Sequence, residues 1–134
     1  MQDYRKLDVW TKAHDLTLEL YRATARVPGR SFPGLVSQMR RSASSIPANI
    51  VEGCGHSTQG ELARFLQIAC ASANELSYHL LLARDLGALG GVPYARLEAR
   101  TTQVRQMLAA LIRTVRRKVS EAKAAARATV TEPP

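Results

Sequence analysis

The sequence predicts an all-α fold, specifically an antiparallel up-down four-helix bundle. Four stretches carry apolar residues at three- and four-residue steps, glycine- or proline-containing segments separate them, and no stretch alternates apolar and polar residues as a strand does. Amphipathic helices joined by short links bury their apolar stripes against one another in a bundle. The chain has 134 residues, 46% of them hydrophobic, which suits a single core. We place one domain at residues 1–128 and a frayed tail at residues 129–134.

The first helix is predicted over about residues 7–26, with Asp8 as its N-cap. Its apolar stripe consists of Val9, Trp10, Ala13, Leu16, Leu20 and Tyr21. Two Pro-Gly steps, at Pro28 and Pro33, then indicate a loop that ends the helix.

The second helix is predicted over residues 35–54, and Pro47 lies inside it. Its apolar stripe consists of Leu35, Met39, Ala43, Ile46 and Ile50. Proline removes one backbone hydrogen bond and clashes with the carbonyl four residues earlier, so we expect a kink near residues 43–47, with a full break as the alternative. Ser44 and Ser45 are candidates to satisfy the freed backbone group.

The third helix is predicted to begin at Ser57 or Thr58, because Thr58 and Glu61 have the spacing of a capping box, and to run to Leu86, with Gly87 as its C-terminal stop. The fourth is predicted to begin near Pro93, which suits a first helical turn, and to extend through Ala128 on alanine propensity. Each of these two helices would be about 45 Å long. The bundle is therefore expected to be tall and to have a large lateral surface.

Two polar stripes flank the apolar stripes of the second and third helices. An arc of roughly 80° on the second helix holds Gln38, Arg41, Ser45, Asn49 and Glu52. On the third helix, Ser72, Glu75 and His79 follow at steps of three and four. We expect Glu75 to be buried against Arg41 or Arg40, because an unpaired interior charge costs several kcal/mol. The predicted structural polar network consists of Arg40, Arg41, Asn49, Glu52, Ser72 and Glu75.

The fourth helix carries the charge pattern that indicates a function. Residues 88–134 hold nine Lys or Arg and three Glu, which accounts for +6 of the formal net charge of +8. An arc of roughly 80° contains Arg105, Arg113, Arg116, Lys123 and Arg127, and Arg117 lies just outside it. We expect this arc to be exposed and to bind nucleic-acid phosphates through guanidinium hydrogen bonds. A solvated face without a partner is the alternative.

No catalytic, metal or cofactor site is predicted. Ser72 and His79 lie about 10 Å apart along their helix, too far for a nucleophile and its base. Cys54 and His56 lack the further ligands that zinc needs, so we interpret them as a buried thiol and a loop histidine. Cys54 and Cys70 do not make a disulfide framework, and no apolar run could span a bilayer. We therefore expect a cytoplasmic protein without membrane contact.

A family resemblance rests on many of the same residues, and its most specific part is the run from Gln38 to Gly53. The other matching residues are Leu7, Val9, Trp10, Ala13, Phe65, Leu66, Ala69, Ser72, Glu75, Leu76, Ala83, Leu86 and Gly87. Over residues 4–116 the chain resembles the bacterial four-helix bundle proteins encoded in intervening sequences of large-subunit rRNA genes. These are similar in turn to the accessory proteins of diversity-generating retroelements. Val51 stands where the family usually has alanine, and the arginine-rich segment after Arg116 extends beyond the family's core pattern.

The resemblance implies a non-enzymatic bundle that assembles side by side into a ring, a homopentamer. It also implies that the basic ring binds nucleic acid, either RNA or DNA, with a reverse transcriptase as a further partner. This is our leading hypothesis, since a ring combines many weak phosphate contacts. The second hypothesis is an adaptor that binds an acidic protein and no nucleic acid. The third is an enzyme with an accessible pocket lined by Arg41, Asn49, Glu52 and Glu75.

Overall fold

The computed structural model describes residues 2–131 and contains four α-helices after one short 3₁₀ turn. The elements are the 3₁₀ turn Tyr4–Lys6, α1 Asp8–Thr24, α2 Leu35–Cys54, α3 Gln59–Asp85 and α4 Gly91–Thr131. Within this part of the chain every regular element is helical, which confirms the predicted all-α class and the number of helices.

The four helices close around one apolar core. α3 packs against both α2 and α4, and α1 also packs against both α2 and α4. Short loops join consecutive helices, which therefore run antiparallel in the up-down arrangement. The fully buried large side chains include Leu16, Leu20, Met39, Ile46, Ile50, Leu66, Leu76, Leu80, Leu97 and Leu108. Among the described residues, none of the helices has both the length and the apolar character needed to cross a bilayer.

The start of α1 differs from the prediction at Asp8. This residue is the first of the helix and not its N-cap, a position that Leu7 occupies without a capping side chain. The carboxylate of Asp8 lies in the first turn, where the helix dipole favours a negative charge, so an acidic residue stands there without serving as the cap. α1 ends at Thr24, slightly before the predicted end, and the following loop leads to Gly34, whose φ of 78° suits glycine.

α2 continues through Pro47, so the alternative of a full break is wrong. Because proline has no N–H, the carbonyl of Ala43 loses its helical donor. The hydroxyl of Thr17 on α1 lies 3.2 Å from that carbonyl oxygen and 2.9 Å from the carbonyl oxygen of Ala13. A buried side chain of the neighbouring helix thus serves the freed carbonyl, while Ser44 and Ser45 form hydrogen bonds elsewhere.

Both ends of α3 follow the sequence signals. The Thr58 hydroxyl accepts a hydrogen bond from the backbone N–H of Glu61 at 3.2 Å, as the capping-box spacing predicts. At the other end Gly87 has a φ of 78°, and the N–H of Ala88 donates to the carbonyl of Ala83 at 2.8 Å. This arrangement is a Schellman motif, which requires a left-handed residue and therefore glycine.

α4 is much longer than its neighbours. It has 41 residues against 27 in α3, or about 60 Å against about 40 Å. It continues through Thr131, beyond the residue 128 at which we predict the end of the domain, because this alanine-rich stretch has high helix propensity. The last buried residue is Val115, and residues 120–130 are all exposed. We call residues 120–131 the α4 extension; residues 132–134 of the predicted tail lie outside the described residues.

Candidate nucleic-acid interface

The second half of α4 presents cations to solvent next to the apolar stripe. Ile112 and Val115 are buried, and the basic residues between and after them point outward. The exposed cations are Arg113, Arg116, Arg117, Lys118, Lys123 and Arg127, of which Lys118 projects from a different side of the helix. We call the five residues other than Lys118 the distal basic face. Their placement follows from helical spacing, which puts them on one side of α4.

Arg105 differs from the other members of the predicted arc because it is half-buried. Its Nη1 lies 3.4 Å from the hydroxyl of Ser77 on α3, and that hydroxyl donates to the carboxylate of Glu98 at 3.2 Å. The predicted exposure is therefore wrong for Arg105. This position lies at the edge of the arc nearest the apolar stripe, where α3 covers it.

Acidic residues are few in the part of the sequence that holds the distal basic face. Glu121 is the one acidic residue between positions 106 and 131. Its Oε1 lies 3.9 Å from the Nε of Arg117, and both side chains are about two-thirds exposed. Such an exposed pair contributes only about 0–1 kcal/mol, so Arg117 remains available to an external anion.

Arg113 and Arg116 also border a shallow groove between α3 and α4. The α3 side of this groove includes the amides of Gln67 and Asn74, with Cys70 between them. Side-chain amides both donate and accept hydrogen bonds. The groove therefore places neutral polar groups beside two guanidinium groups, an arrangement suited to phosphate and sugar oxygens.

The cations at the start of α4 have a different environment, which the helical pattern of the sequence did not predict. Glu19 of α1 accepts from the Nε of Arg96 at 3.0 Å and faces the Nε of Arg100 at 2.8 Å. The Glu19 side chain is only 19% exposed, so screening by solvent weakens these contacts less than those of a surface pair. The sequence signal for this contact is the one-turn spacing of the two arginines, which lie on a side of α4 outside the predicted arc. This single carboxylate therefore offsets part of the positive charge of the two arginines.

In the predicted polar network, the structure pairs Glu75 with Arg41, whose guanidinium group also donates to the Gln38 side chain at 2.7 Å. The predicted burial of this pair is wrong, because the side chains are 56% and 41% exposed. The polar stripe lies at the rim of the α2–α3 contact, and long side chains at a rim extend into solvent. The pair therefore links two helices at the surface.

Arg40 contacts α1 and takes no part in the pairing with Glu75. Its Nε donates to the hydroxyl of Thr24 at 3.0 Å, and its Nη2 donates to the carbonyl of Tyr21 at 3.2 Å. The guanidinium carbon also lies 4.5 Å from the centre of the Tyr21 ring, a cation–π geometry. Arg40 thus satisfies carbonyl and hydroxyl groups at the end of α1, which fixes α2 against that end.

Ser45, Asn49 and Ser72 form the inner part of the network. The hydroxyls of Ser45 and Ser72 lie 2.9 Å apart across the α2–α3 contact. The Asn49 amide donates to the Ser45 carbonyl at 2.7 Å and to its hydroxyl at 3.0 Å. Glu52 is separate from this group, because it is exposed and its carboxylate lies 3.9 Å from His56. Its predicted place in the network is therefore wrong, since its side chain is exposed and contacts His56 of the following turn.

The four residues of the hypothesised enzyme pocket do not come together in the structure. The residues Arg41, Asn49, Glu52 and Glu75 bind different neighbours and do not line a common pocket. The hydroxyl of Ser42 lies 3.2 Å from Nδ1 of His79, a distance that would suit a nucleophile and its base. Ser42 is fully buried, however, so a substrate could not reach its hydroxyl. Its hydroxyl also donates to backbone carbonyls of its own helix, so it completes local hydrogen bonds.

The cysteine and histidine of the α2–α3 turn also contact separate neighbours. Cys54 is buried, and its burial, together with the carboxylate of Asp3, raises the pKa of its thiol. The His56 ring stacks on Phe65 with 5.0 Å between ring centres. Within residues 2–131 no cluster of three or more His, Cys, Asp or Glu side chains is arranged to hold a metal ion.

Comparison with known proteins places this arrangement in a wider context. A family model described as 23S rRNA-intervening sequence protein matches residues 5–110. That span includes α1, α2, α3 and the first half of α4. All five residues of the distal basic face lie beyond it.

One similar solved structure is from Bacteroides thetaiotaomicron, a protein of unknown function from the S23 ribosomal protein family. It matches with a TM-score of 0.73 at 24% sequence identity, over 78% of this chain and 97% of that one. At this identity the likeness establishes the fold, in agreement with the bundle described above. No curated protein matches the sequence significantly.

Proposed function

Since the chain belongs to the 23S rRNA-intervening sequence protein family, we propose that it is a non-enzymatic protein that binds nucleic acid, either RNA or DNA, through the distal basic face. The observation that carries this proposal is the exposure of five cations on one side of α4, with Glu121 as the one carboxylate in the same stretch of sequence. Guanidinium groups in such a row match phosphate oxygens through paired hydrogen bonds.

Recognition of this kind is expected to depend on the nucleic-acid backbone. Phosphate contacts position a protein on nucleic acid and carry no sequence information, and each neutralised phosphate releases counterions. Binding should therefore be weakly selective for sequence and strongly dependent on salt.

The proposal includes self-assembly into a ring, in line with the homopentamer that the resemblance implies. Exposed apolar side chains on three different helices support lateral contacts: these are Leu18 and Tyr21 of α1, Val51 of α2 and Ile68 of α3. A ring would present several distal basic faces at once, which raises the total affinity without new contacts. Sedimentation velocity at several protein concentrations would measure the mass of the assembly, with five times 14.7 kDa expected.

Two further parts of the proposal concern the cellular setting. We place the protein in the cytoplasm, where its two free cysteines stay reduced. We also include a reverse transcriptase as a partner, because such an enzyme would handle the nucleic acid that the ring holds. Co-purification of the two proteins with and without nuclease treatment would separate direct contact from contact through nucleic acid.

The direct test measures affinity against salt. With about three phosphate contacts per protomer, affinity should fall about 40-fold between about 50 and 200 mM salt. Double charge reversal, Arg113→Glu with Arg116→Glu, should lower affinity at least about tenfold and reduce the salt slope by about two. Fluorescence anisotropy with labelled RNA and DNA would give both quantities.

A matched control separates this face from net charge. Lys6→Glu with Lys12→Glu makes the same change in total charge at exposed positions near the start of the chain. This variant should keep most of the affinity. If neither RNA nor DNA is retained at low salt, the proposal is wrong and the adaptor with an acidic protein partner is favoured.

A further inference from the structure

The α4 extension leads to a more specific conclusion about the ligand. We propose that the nucleic acid is duplex DNA and that the α4 extension lies in its major groove. This inference rests on the proposed function and names the ligand class, and it is argued from the shape, charge and composition of the extension.

The extension has the dimensions of a groove-binding helix. Residues 120–131 span about 18 Å, and the side chains of residues 120–130 are all exposed. The small residues are Ala122, Ala124, Ala125, Ala126 and Ala128. An α-helix with full side chains is about 10–12 Å across, and alanine makes it thinner. The major groove of B-DNA is about 12 Å wide and about 8.5 Å deep, so this helix fits inside it.

The charges of the extension complement the walls of that groove. Lys123 and Arg127 lie on the same side of α4 as Arg116, one to three turns apart. The single carboxylate, Glu121, faces Arg117 on another side of the helix. Long cationic side chains on a thin helix can reach phosphates at the groove edges while the alanines face the base pairs.

Other nucleic acids fit this helix less well. Proteins hold single strands by stacking bases on aromatic rings, and the one aromatic residue of α4 is Tyr94, in its first turn. Duplex RNA has a deep and narrow major groove that does not admit a helix. The extension also contains no Asn or Gln, the side chains that read adenine, so we expect little preference for sequence.

The first experiment compares ligands for the unmodified protein. The probes are a DNA duplex of about 24 base pairs, two helical turns, the RNA duplex of the same sequence, and one of the DNA strands alone. At one salt concentration we expect the DNA duplex to bind about tenfold more tightly than either alternative. Equal or tighter binding of the RNA duplex or the single strand would overturn the inference.

The second experiment tests the helix itself without changing any charge. Ala124→Pro removes a backbone donor and breaks the extension, and Ala124→Ser is the matched control that keeps it helical. The proline variant should lose the about tenfold preference for duplex DNA, whereas the serine variant should bind within about twofold of the parent. Thermal unfolding would show that both bundles remain folded.

The outcomes distinguish this inference from the proposed function. If the proline variant binds duplex DNA as well as the parent does, a flexible basic tail is sufficient and the groove-binding helix is wrong. Binding that is lost in the Arg113→Glu, Arg116→Glu variant would still support the proposed function in that case. Failure of all three probes to bind the parent would overturn both.

Discussion

At the residue scale, single side chains resolve local conflicts that the helix packing creates. Pro47 leaves a carbonyl in α2 without its helical donor, and Thr17 of α1 lies within hydrogen-bond distance of it. Gly53 lies buried at the point where α2 meets α3, and an added Cβ would come within 2.9 Å of the Cβ of Phe65. Thr17 and Gly53 thus each meet a requirement that the neighbouring helix sets, a donor for a carbonyl in one case and space for a side chain in the other.

Thr17→Val should lower the free energy of unfolding by about 1–2 kcal/mol, because the buried carbonyl of Ala43 would have no donor. Urea denaturation of the two proteins would measure the difference. The informative control is Pro47→Ala, which returns a backbone N–H to that carbonyl. In the Pro47→Ala background, Thr17→Val should have a clearly smaller effect; an equal effect in both backgrounds would show that Thr17 does not compensate for the proline.

Gly53→Ala should lower the free energy of unfolding by about 1–3 kcal/mol, since the new methyl group would overlap Phe65 and Leu62. Gly60→Ala is the matched control on the same pair of helices, because open space surrounds that position in the first turn of α3. It should raise stability by about 0.5–1 kcal/mol. A similar loss in both variants would indicate that backbone flexibility matters more than packing.

Cys54 should make stability fall in mildly alkaline solution. Burial raises the pKa of its thiol, so the folded state disfavours the thiolate. The stabilising contribution is complete below the thiol's unfolded pKa and is lost as the pH rises through the folded pKa. Under reducing conditions, the free energy of unfolding should decline more between about pH 7 and pH 10 in the parent than in Cys54→Ala. Equal declines would show that other groups cause the effect.

At the element scale, the bounds of α2 and α3 were predictable because specific residues set them. Gly34 and Gly55 border α2, and Thr58 and Gly87 cap α3 through hydrogen bonds that their residue types predict. The start of α1 was less predictable, since Asp8 is equally suited to the cap and to the first turn. Helical spacing thus locates an element better than it locates its first residue.

The α4 extension should contribute almost nothing to the stability of the bundle. None of residues 120–130 is buried, and the last buried residue of α4 is Val115. The free energy of unfolding of a chain that ends at Ser120 should therefore lie within about 0.5 kcal/mol of the parent's. Calorimetry or urea denaturation would measure this, and a loss of more than about 2 kcal/mol would show that the extension packs on the bundle or on a neighbouring protomer.

At the scale of the whole molecule, the sequence predicted the bundle but not the depth of its polar contacts. The sequence narrowed the partner of Glu75 to Arg40 or Arg41. The exposure of the pair, however, depends on how far the α2–α3 contact extends around each helix. Arg105 shows the same limit, because a helical wheel gives a direction and not the neighbour that occupies it. The ion pairs of Glu19 with Arg96 and Arg100 join the first and last helices, and no local sequence pattern predicts such a contact.

That contact has a consequence for how the molecule moves towards a ligand. Glu19 offsets part of the positive charge at the start of α4, whereas the far end of this helix carries the five exposed cations of the distal basic face with one carboxylate among them, so the excess charge of α4 lies towards its C-terminal end. In the field of a polyanion this end of the helix is attracted more strongly than its start, which turns the protein as it approaches. A greater share of collisions then begins in a productive orientation.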